Sequence, residues 1–396
     1  MALDFQQVRQ QVIEMGENAP ARERHRRQIR ENAVETLEAY AHSLDPLRQR
    51  VEAASGKNPN LRCALPVAEN LNARFPLPPL PPSTTLLAAD GSQINPDRHA
   101  SVDYCLVNVG AIQMQLNSPA TPVRTVRSQL LYDDEMYTEN GRITEQLVAL
   151  MRDLRERQLL AELARGLPLP IITLTDGPLE LWQGRDSAPE AKEYEKRFKE
   201  YLKALRQLHT LGTSTAGYID KPGSDLLVRL LEIARLPLSD LDKAGKLREF
   251  RGITDVDLLQ PILGLHERSA VFGIQSRAVK QYADELALHF FYLNVGKTTD
   301  GKPYLARVEI PAWVANSPQM LNDLHAILIH QCQMLGSRPY PYLLHRSHEV
   351  ALVSMDEKNQ VENMIAIELR KRGVTVGQDS NKQFSKDVSG QRTRYP

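Results

Sequence analysis

The sequence has 396 residues, with 49 Lys and Arg against 49 Asp and Glu, no formal net charge and 42% hydrophobic residues. This composition is typical of an ordinary globular protein of about two domains, and it excludes a fibrous or wholly disordered chain. Because the charge is balanced, no global field attracts the chain to nucleic acid or to an anionic membrane, so any such contact needs a local patch.

Targeting signals and cysteine patterns are absent from the sequence. No run of about 18 apolar residues exists, and the N-terminus is polar, which excludes a helical membrane span and a secretory signal. We therefore expect a cytoplasmic protein without a membrane partner. Cys63, Cys105 and Cys332 lie far apart and form no C-x-x-C pair, so the sequence encodes neither a disulfide framework nor a cysteine zinc site.

The N-terminal part differs in character from the rest of the chain. Residues 1–75 are predicted to form a helical arm, in which Val8 and Val12 have helical spacing. The basic stretch 21–27 either contacts phosphates or forms a solvated helix face. Residues 76–83 are rich in proline and predict an extended spacer, or alternatively an SH3-type ligand.

Strand and helix signals alternate beyond this spacer, which favours an α/β core. Strands are predicted at 86–89, 102–116, 171–174, 286–295 and 304–310, and helices at 143–165, 189–211 and 318–335. Ser354 and Glu357 have the spacing of a capping box, which predicts a C-terminal helix over 356–377. The apolar residues expected on one face of this helix are Val361, Met364, Ile365 and Leu369. The polar segment 378–396 is predicted to be a disordered tail.

Two apolar strands each lead into an Asp-Gly dipeptide, at Asp90-Gly91 and at Asp176-Gly177. Asp-Gly is a common turn, so both sequences can be simple turns. Alternatively, each carboxylate follows a buried strand, and glycine allows a ligand or backbone to approach closely. Two such strands side by side would form an acidic pocket, which is the environment that a hard divalent cation requires.

The predicted helix 143–165 carries a carboxylate on an apolar face. Glu156 aligns with Leu159 and Leu163, so it is either a partner in a buried ion pair or a metal ligand. Glu162 flanks both faces and is the weaker candidate. Further along the chain, residues 338–349 combine aromatic residues, prolines, two histidines and a carboxylate, which predicts a site loop.

The order of these motifs resembles the NurA nuclease family. It is carried by Asp90-Gly91-Ser92, by Arg152 and Glu156 in R-x-x-x-E, by Asp176-Gly177-Pro178-Leu179, and by Tyr340-Pro341 with His348. The segments Ala216-Gly217-Tyr218-Ile219-Asp220, Phe290-Phe291-Tyr292-Leu293 and Val308-Glu309-Ile310-Pro311 also fit the family. The resemblance covers residues 84–355, which include a helical layer at about 185–268.

The resemblance implies a fold, an activity and partners. The expected fold is an α/β, RNase H-like core with a mixed sheet and flanking helices, in addition to the N-terminal arm. The expected protein is a 5'–3' exonuclease and single-strand endonuclease that depends on Mn²⁺, with Mg²⁺ as a substitute. It would process DNA ends, in repair or in phage defence, as a ring-shaped homodimer that works with a hexameric HerA-type ATPase.

The family's site residues carry over to this chain by position. Asp90, Glu156 and Asp176 would be metal-binding carboxylates, His348 a further ligand, and Tyr340 a fifth catalytic residue. Pro178 departs from the commoner Asp-Gly-Ser pattern but leaves the carboxylate intact. The alternatives are a non-catalytic, ring-shaped adaptor of a DNA translocase and a metal-dependent phosphatase. An adaptor has no need to keep three acids in this order.

Overall fold

The computed structural model of the chain describes residues 3–97, 102–139, 141–181 and 191–374. The helices are α1 Phe5–Tyr40, α2 Leu44–Lys57, α3 Glu145–Leu163, α4 Ala191–Thr210, α5 Leu226–Arg235, α6 Asp255–Leu259, α7 Ala312–Ala315, α8 Pro318–Gln333, α9 Tyr342–Ala351 and α10 Met355–Lys371. The strands are β1 Cys63–Pro66, β2 Arg74–Phe75, β3 Thr85–Ile94, β4 Tyr104–Gln115, β5 Val123–Tyr132, β6 Tyr137–Thr138, β7 Gly141–Arg142, β8 Ile171–Asp176, β9 Ser214–Ile219, β10 Arg268–Ser269, β11 Phe272–Gln275, β12 Leu288–Lys297 and β13 Pro303–Pro311. Within these ranges, no helix combines the length and apolar character needed to cross a membrane.

The chain divides into two compact units. The first comprises Met1–Leu80 and Tyr218–Tyr340, and the second comprises Pro81–Gly217 and Pro341–Pro396. The chain first passes from one unit to the other inside the predicted spacer, 76–83, which contains neither helix nor strand. The predicted tail, 378–396, lies outside the described residues.

The first unit is built on antiparallel strands. Strand β11 pairs with β1 and with β12, and β12 pairs with β13 and with the short β10, which also pairs with β2. Helix α5 packs against α1, α2 and β1, and nine of its ten residues are buried. Residues 1–75 therefore contain two strands, β1 and β2, in addition to the predicted helices. Strands form there because both segments find pairing partners far along the chain, which local periodicity does not report.

The second unit contains the predicted α/β core. Strands β3, β4 and β5 form a consecutive antiparallel sheet, β8 pairs parallel to β3, and the strand order is β9-β8-β3-β4-β5. Helix α3 packs against β3, β4 and α4, whereas α9 contacts β3 and β4. Three antiparallel strands, a helix, a parallel strand, a helix and a last strand in this order form an RNase H-like arrangement. The predicted mixed sheet with flanking helices is confirmed.

The C-terminal predictions were partly wrong. Residues 338–349 do not form a loop, because helix α9 begins at Tyr342, directly after Pro341. The capping box before α10 is confirmed, since the Ser354 side chain accepts from the Glu357 amide and the Glu357 carboxylate accepts from the Ser354 amide. The predicted apolar face is not buried, and Met364 is 69% exposed, because only Val361 and Ile365 pack against the small cluster of Ile94, Tyr104 and Leu106.

Candidate metal centre

The two Asp-Gly sequences lie on neighbouring strands. In the parallel pair of β3 and β8, Ala89 lies opposite Thr175, so Asp90 and Asp176 follow at equivalent positions. The hypothesis that these two strands lie side by side is confirmed. Asp176 is the last residue of β8, but β3 continues to Ile94, so Asp90 lies in the middle of a strand and is not part of a turn.

Helix α9 brings a histidine to Asp90. The Nδ1 of His348 lies 2.6 Å from Oδ2 of Asp90, while Oδ1 of Asp90 accepts from the Gly91 amide at 2.8 Å. The end of α9 is held against β3 and β4, since the Ala351 carbonyl accepts from Ser92 at 2.5 Å and from Asn108 at 2.7 Å. This contact orients the ring of His348, and 60% of the His348 side chain is exposed.

Glu156 reaches β3 from the opposite face of the sheet. Side chains alternate along a strand, so Asp90 is directed to the α9 face and position 91 to the α3 face. A Cβ atom at Gly91 would lie only 2.4 Å from Cγ of Arg152 and 2.7 Å from Oε1 of Glu156. Glycine at this position therefore makes room for these two side chains of α3, instead of providing the flexible turn that Asp-Gly predicts.

The electrostatic setting of Glu156 is unusual. Only 6% of the residue is exposed, and this burial raises the pKa of the Glu156 carboxyl well above its usual value. The negative charge of Asp153 is the second largest cause of the rise. The charge of Asp90 acts in the same direction, whereas Arg152, with Nε at 3.7 Å from Oε1, opposes it. Desolvation is thus the main cause, and the neighbouring acids add to it.

A cavity of about 170 Å³ adjoins Glu156 and Asp176. Its lining residues include two more carboxylates that the sequence analysis missed, Asp153 and Glu180, together with the cations Arg152 and Arg157. Asp153 accepts from Arg152 at 2.8 Å, and burial raises the pKa of its carboxyl. Asp153 lies three residues before Glu156, so helical spacing was the signal that could have found it. Glu180 follows β8 in an irregular segment and carries no periodic signal.

The remaining candidates lie elsewhere. Glu162 is exposed and forms an ion pair with Arg127 at 3.3 Å, away from the cavity. His345 also lies on the surface, 3.4 Å from Glu349. Tyr340 belongs to the first unit, where its ring lies edge-to-face against Tyr218 with centroids 5.6 Å apart. Among the described residues, no three His, Cys, Asp or Glu side chains already have the spacing of a formed metal centre.

Comparison with known proteins decides the family. A model of the NurA domain matches residues 84–353, which is more than half of the chain. The chain belongs to the NurA family. As a NurA protein it is a metal-dependent nuclease, that is, a hydrolase of phosphodiester bonds.

Similar solved structures include two of NurA proteins. The NurA nuclease from Sulfolobus solfataricus is 12% identical over 86% of this chain and 95% of its own, with a TM-score of 0.48. A NurA structure with manganese is 12% identical over 74% of this chain and 91% of its own, with a TM-score of 0.40. The catalytic domain of human Endonuclease V is 12% identical over 71% and 84%, with a TM-score of 0.31. No match was found among curated proteins.

Proposed function

We propose that the second unit hydrolyses DNA at a Mn²⁺ site formed by Asp90, Glu156, Asp176 and His348. The observation that carries the proposal is the parallel register of β3 and β8, which places Asp90 and Asp176 at equivalent positions of adjacent strands. Glu156 approaches the same strand through the space left by Gly91. Three carboxylates from distant parts of the sequence thereby lie at neighbouring positions, with Asp90 and Asp176 on adjacent strands and Glu156 beside β3 on its α3 face.

The donor set fits a hard divalent cation. Four carboxylates, those of Asp153, Glu156, Asp176 and Glu180, line the 170 Å³ cavity together with two arginines. Oxygen ligands with excess negative charge favour Mg²⁺ and Mn²⁺. An additional imidazole ligand, such as that of His348, favours Mn²⁺ over Mg²⁺. We therefore propose Mn²⁺ as the preferred ion and Mg²⁺ as its substitute.

The protein's own residues would hold and orient the reactants. When bound, the cation supplies charge stabilisation to the phosphate and lowers the pKa of a coordinated water. Asp90 holds Nδ1 of His348, so Nε2 is the ring nitrogen that remains to bind, to orient a water or to give a proton to the leaving oxygen. Asp90, Glu156, Asp176 and His348 are the residues that would hold the cation.

The proposed biological setting is DNA end processing in the cytoplasm. We propose that the chain acts as a homodimer with a HerA-type hexameric ATPase, which binds terminal segments outside the nuclease core. Deletion of the residues after Gln378 should weaken co-purification with the ATPase. Residues 1–75 supply β1 and β2 to the first unit, so on that side the deletion is limited to residues 1–25, of which 3–25 are exposed. If both truncated proteins bind the ATPase normally, the interface lies on the core.

A cleavage assay tests the enzymatic proposal. Purified protein is incubated with end-labelled single- and double-stranded DNA and Mn²⁺, with and without EDTA, and beside a simple phosphomonoester. We expect cleavage of DNA that EDTA abolishes, and no turnover of the monoester. Cleavage of the monoester alone would indicate a phosphatase, and no turnover of either substrate would indicate an adaptor.

A further inference from the structure

Strand β5 is an open edge of the sheet in the second unit. It is the last strand in the order β9-β8-β3-β4-β5, and its ten residues pair on one side with β4, in continuous register from Val123 opposite Gln113 to Tyr132 opposite Tyr104. Among the described residues no strand pairs with its other side. Every second residue of such a strand directs its N–H and C=O groups to the open edge.

Most of the usual protections of an exposed edge are missing. Edge strands of soluble proteins are normally short or bulged, or carry proline or charged side chains, above all lysine, because a long flat edge pairs with other chains. The sequence of β5 contains neither proline nor lysine and its register has no bulge, and Arg124 and Arg127 are its charged residues. Val123, Val126 and Tyr132 are 55%, 44% and 55% exposed. This edge therefore has the properties of a strand that pairs with a partner strand.

We propose that β5 pairs antiparallel with β5 of a second copy of this chain, about a two-fold axis at Ser128. The inference deepens the proposed homodimer by naming its interface. Two copies of one strand can pair antiparallel only about an axis perpendicular to the sheet, which keeps each face of the sheet on the same side. Residues that lie directly opposite each other in the pair have their side chains on the same face of the sheet, whereas consecutive residues of one strand alternate between faces. One residue of β5 must therefore lie opposite its own copy, and the two-fold axis passes between these two copies.

Side-chain chemistry favours Ser128 over the neighbouring axis positions Arg127 and Val126. An axis at Arg127 would place two guanidinium groups directly opposite each other, which destabilises a strand pair. An axis at Val126 would pair only Val123 to Gln129 and leave the rest of the strand open. An axis at Ser128 gives the complementary pairs Val126–Leu130, Arg127–Gln129 and Arg124–Tyr132, each formed twice.

Contacts within the protomer hold the side chains of Arg127, Ser128 and Gln129 away from the open backbone edge of β5. On one face, the Ser128 hydroxyl donates to Oδ1 of Asn108 at 2.6 Å. On the other face, Arg127 lies 3.3 Å from Glu162, and the Gln129 side chain accepts from Arg155 at 2.8 Å. The side chains are thus held above and below the sheet, which leaves the backbone edge accessible to a second strand.

A single cysteine tests the register. Directly opposite residues in an antiparallel pair have Cα atoms about 4.5–5.5 Å apart, a distance that a disulfide bridges. Ser128→Cys in the full-length protein should therefore form a disulfide dimer under mild oxidation, because each thiol gives up its hydrogen to the added oxidant. The native cysteines, Cys63, Cys105 and Cys332, are buried and give little background.

Two matched cysteine variants serve as controls. Val126→Cys lies on the same strand and face, but in this register it is four residues from its own copy, roughly 14 Å at about 3.4 Å per residue, and should not cross-link. Lys199 on α4 is exposed, with 74% of the side chain accessible, and Lys199→Cys should form no disulfide dimer after oxidation. Cross-linking of Val126→Cys in preference to Ser128→Cys would contradict the register.

A charge variant supplies a readout without oxidation. Gln129→Glu would place a carboxylate opposite Arg127 of the second copy, so we expect the dimer dissociation constant at low salt to fall about tenfold, and the gain to vanish in 1 M salt. Sedimentation measures the dissociation constant at both salt concentrations.

A dimer that neither cross-links at Ser128 nor tightens with Gln129→Glu would overturn the β5 interface while the homodimer stands. A monomer at all concentrations would overturn both, and amide protection of β5 that appears only with the ATPase would assign the edge to that partner.

Discussion

Two buried acids, Asp255 in the first unit and Glu156 in the second, show how differently a fold can treat a carboxylate. Asp255 is fully buried and accepts hydrogen bonds from the Leu227 amide at 2.9 Å, the Val228 amide at 3.0 Å and the Tyr292 hydroxyl at 2.9 Å. Glu156 accepts no hydrogen bond from the described residues, and its ion pair with Arg152 is long, at 3.7 Å.

The pKa of each acid reflects the same cause but not the same compensation. Burial raises the pKa of Asp255 to about 6, against the opposing effect of its three hydrogen bonds. Burial also raises the pKa of Glu156 well above its usual value, and Asp153 adds to the rise. An acid whose oxygens are satisfied by its own fold is structural, whereas a buried acid without donors beside other acids is suited to bind a cation.

The largest expected effect is on catalysis. Glu156→Ala and Asp176→Ala should each lower the rate of Mn²⁺-dependent DNA cleavage about 100-fold or more, because each would remove a ligand of the proposed metal site and with it several kcal/mol of charge stabilisation. Glu162→Ala is the matched control on the same helix and should cleave normally, because its partner is the exposed Arg127. Single-turnover rates on end-labelled DNA provide the comparison. Full activity of folded Glu156→Ala together with an inactive Glu162→Ala would move the third ligand to Glu162.

The second effect concerns stability in the first unit. Asp255→Ala leaves the Leu227 and Val228 amides and the Tyr292 hydroxyl without their acceptor, so the free energy of unfolding should fall by about 4 kcal/mol. Urea unfolding of the variant and of the wild type gives the difference. Glu156→Ala should lower stability much less. Equal losses in the two variants would remove the distinction between a satisfied and an unsatisfied acid.

The raised pKa of Asp255 also predicts a pH dependence. Between its ordinary pKa of 3.8 and about 6, the folded state carries a proton on Asp255 and the unfolded state does not. The contribution of Asp255 to stability should therefore fall by about 3 kcal/mol as the pH rises through this window, and stay constant above it. Subtracting the stability curve of Asp255→Asn from that of the wild type isolates the contribution. A flat difference curve between pH 4 and pH 7 would show that the pKa is not raised.

The smallest effect separates two histidines of α9. His348→Ala should slow DNA cleavage about tenfold, because this ring lies 2.6 Å from Asp90. His345→Ala removes only an exposed partner of Glu349 and should leave the rate unchanged. Both variants lose one imidazole from the same helix, so their effects on the stability of α9 should be similar. Equal rates for the two variants would exclude His348 from the site.

The sequence predicted those features that depend on local patterns. Strands β3 and β8 follow from continuous apolar runs, α3 from helical periodicity, and the start of α10 from its capping box. The apolar Asp-Gly context and the motif order led to Asp90, Glu156 and Asp176 as metal ligands, and this assignment stays a prediction.

What local patterns could not report depends on tertiary packing. The role of Gly91 follows from the approach of α3 to β3, not from a turn, and Glu180 joins the cavity from an irregular segment. Helix α9 was mistaken for a loop, because Pro339 and Pro341 indicate irregular backbone, whereas Pro341 lies at the N-cap and the helix begins after it. Its helical form follows from packing of the Ala351 end against β3 and β4.

The most direct test of the metal site is a thermal scan of the wild type and Asp176→Asn, each with EDTA and with Mn²⁺. Because the acids around Glu156 repel one another without a cation, Asp176→Asn should melt no lower than the wild type in EDTA. Mn²⁺ at 100 times its dissociation constant should stabilise the wild type by about 2.7 kcal/mol and the variant by much less. Equal increments in melting temperature for both proteins would show that Asp176 is not a ligand and would contradict the proposed metal site.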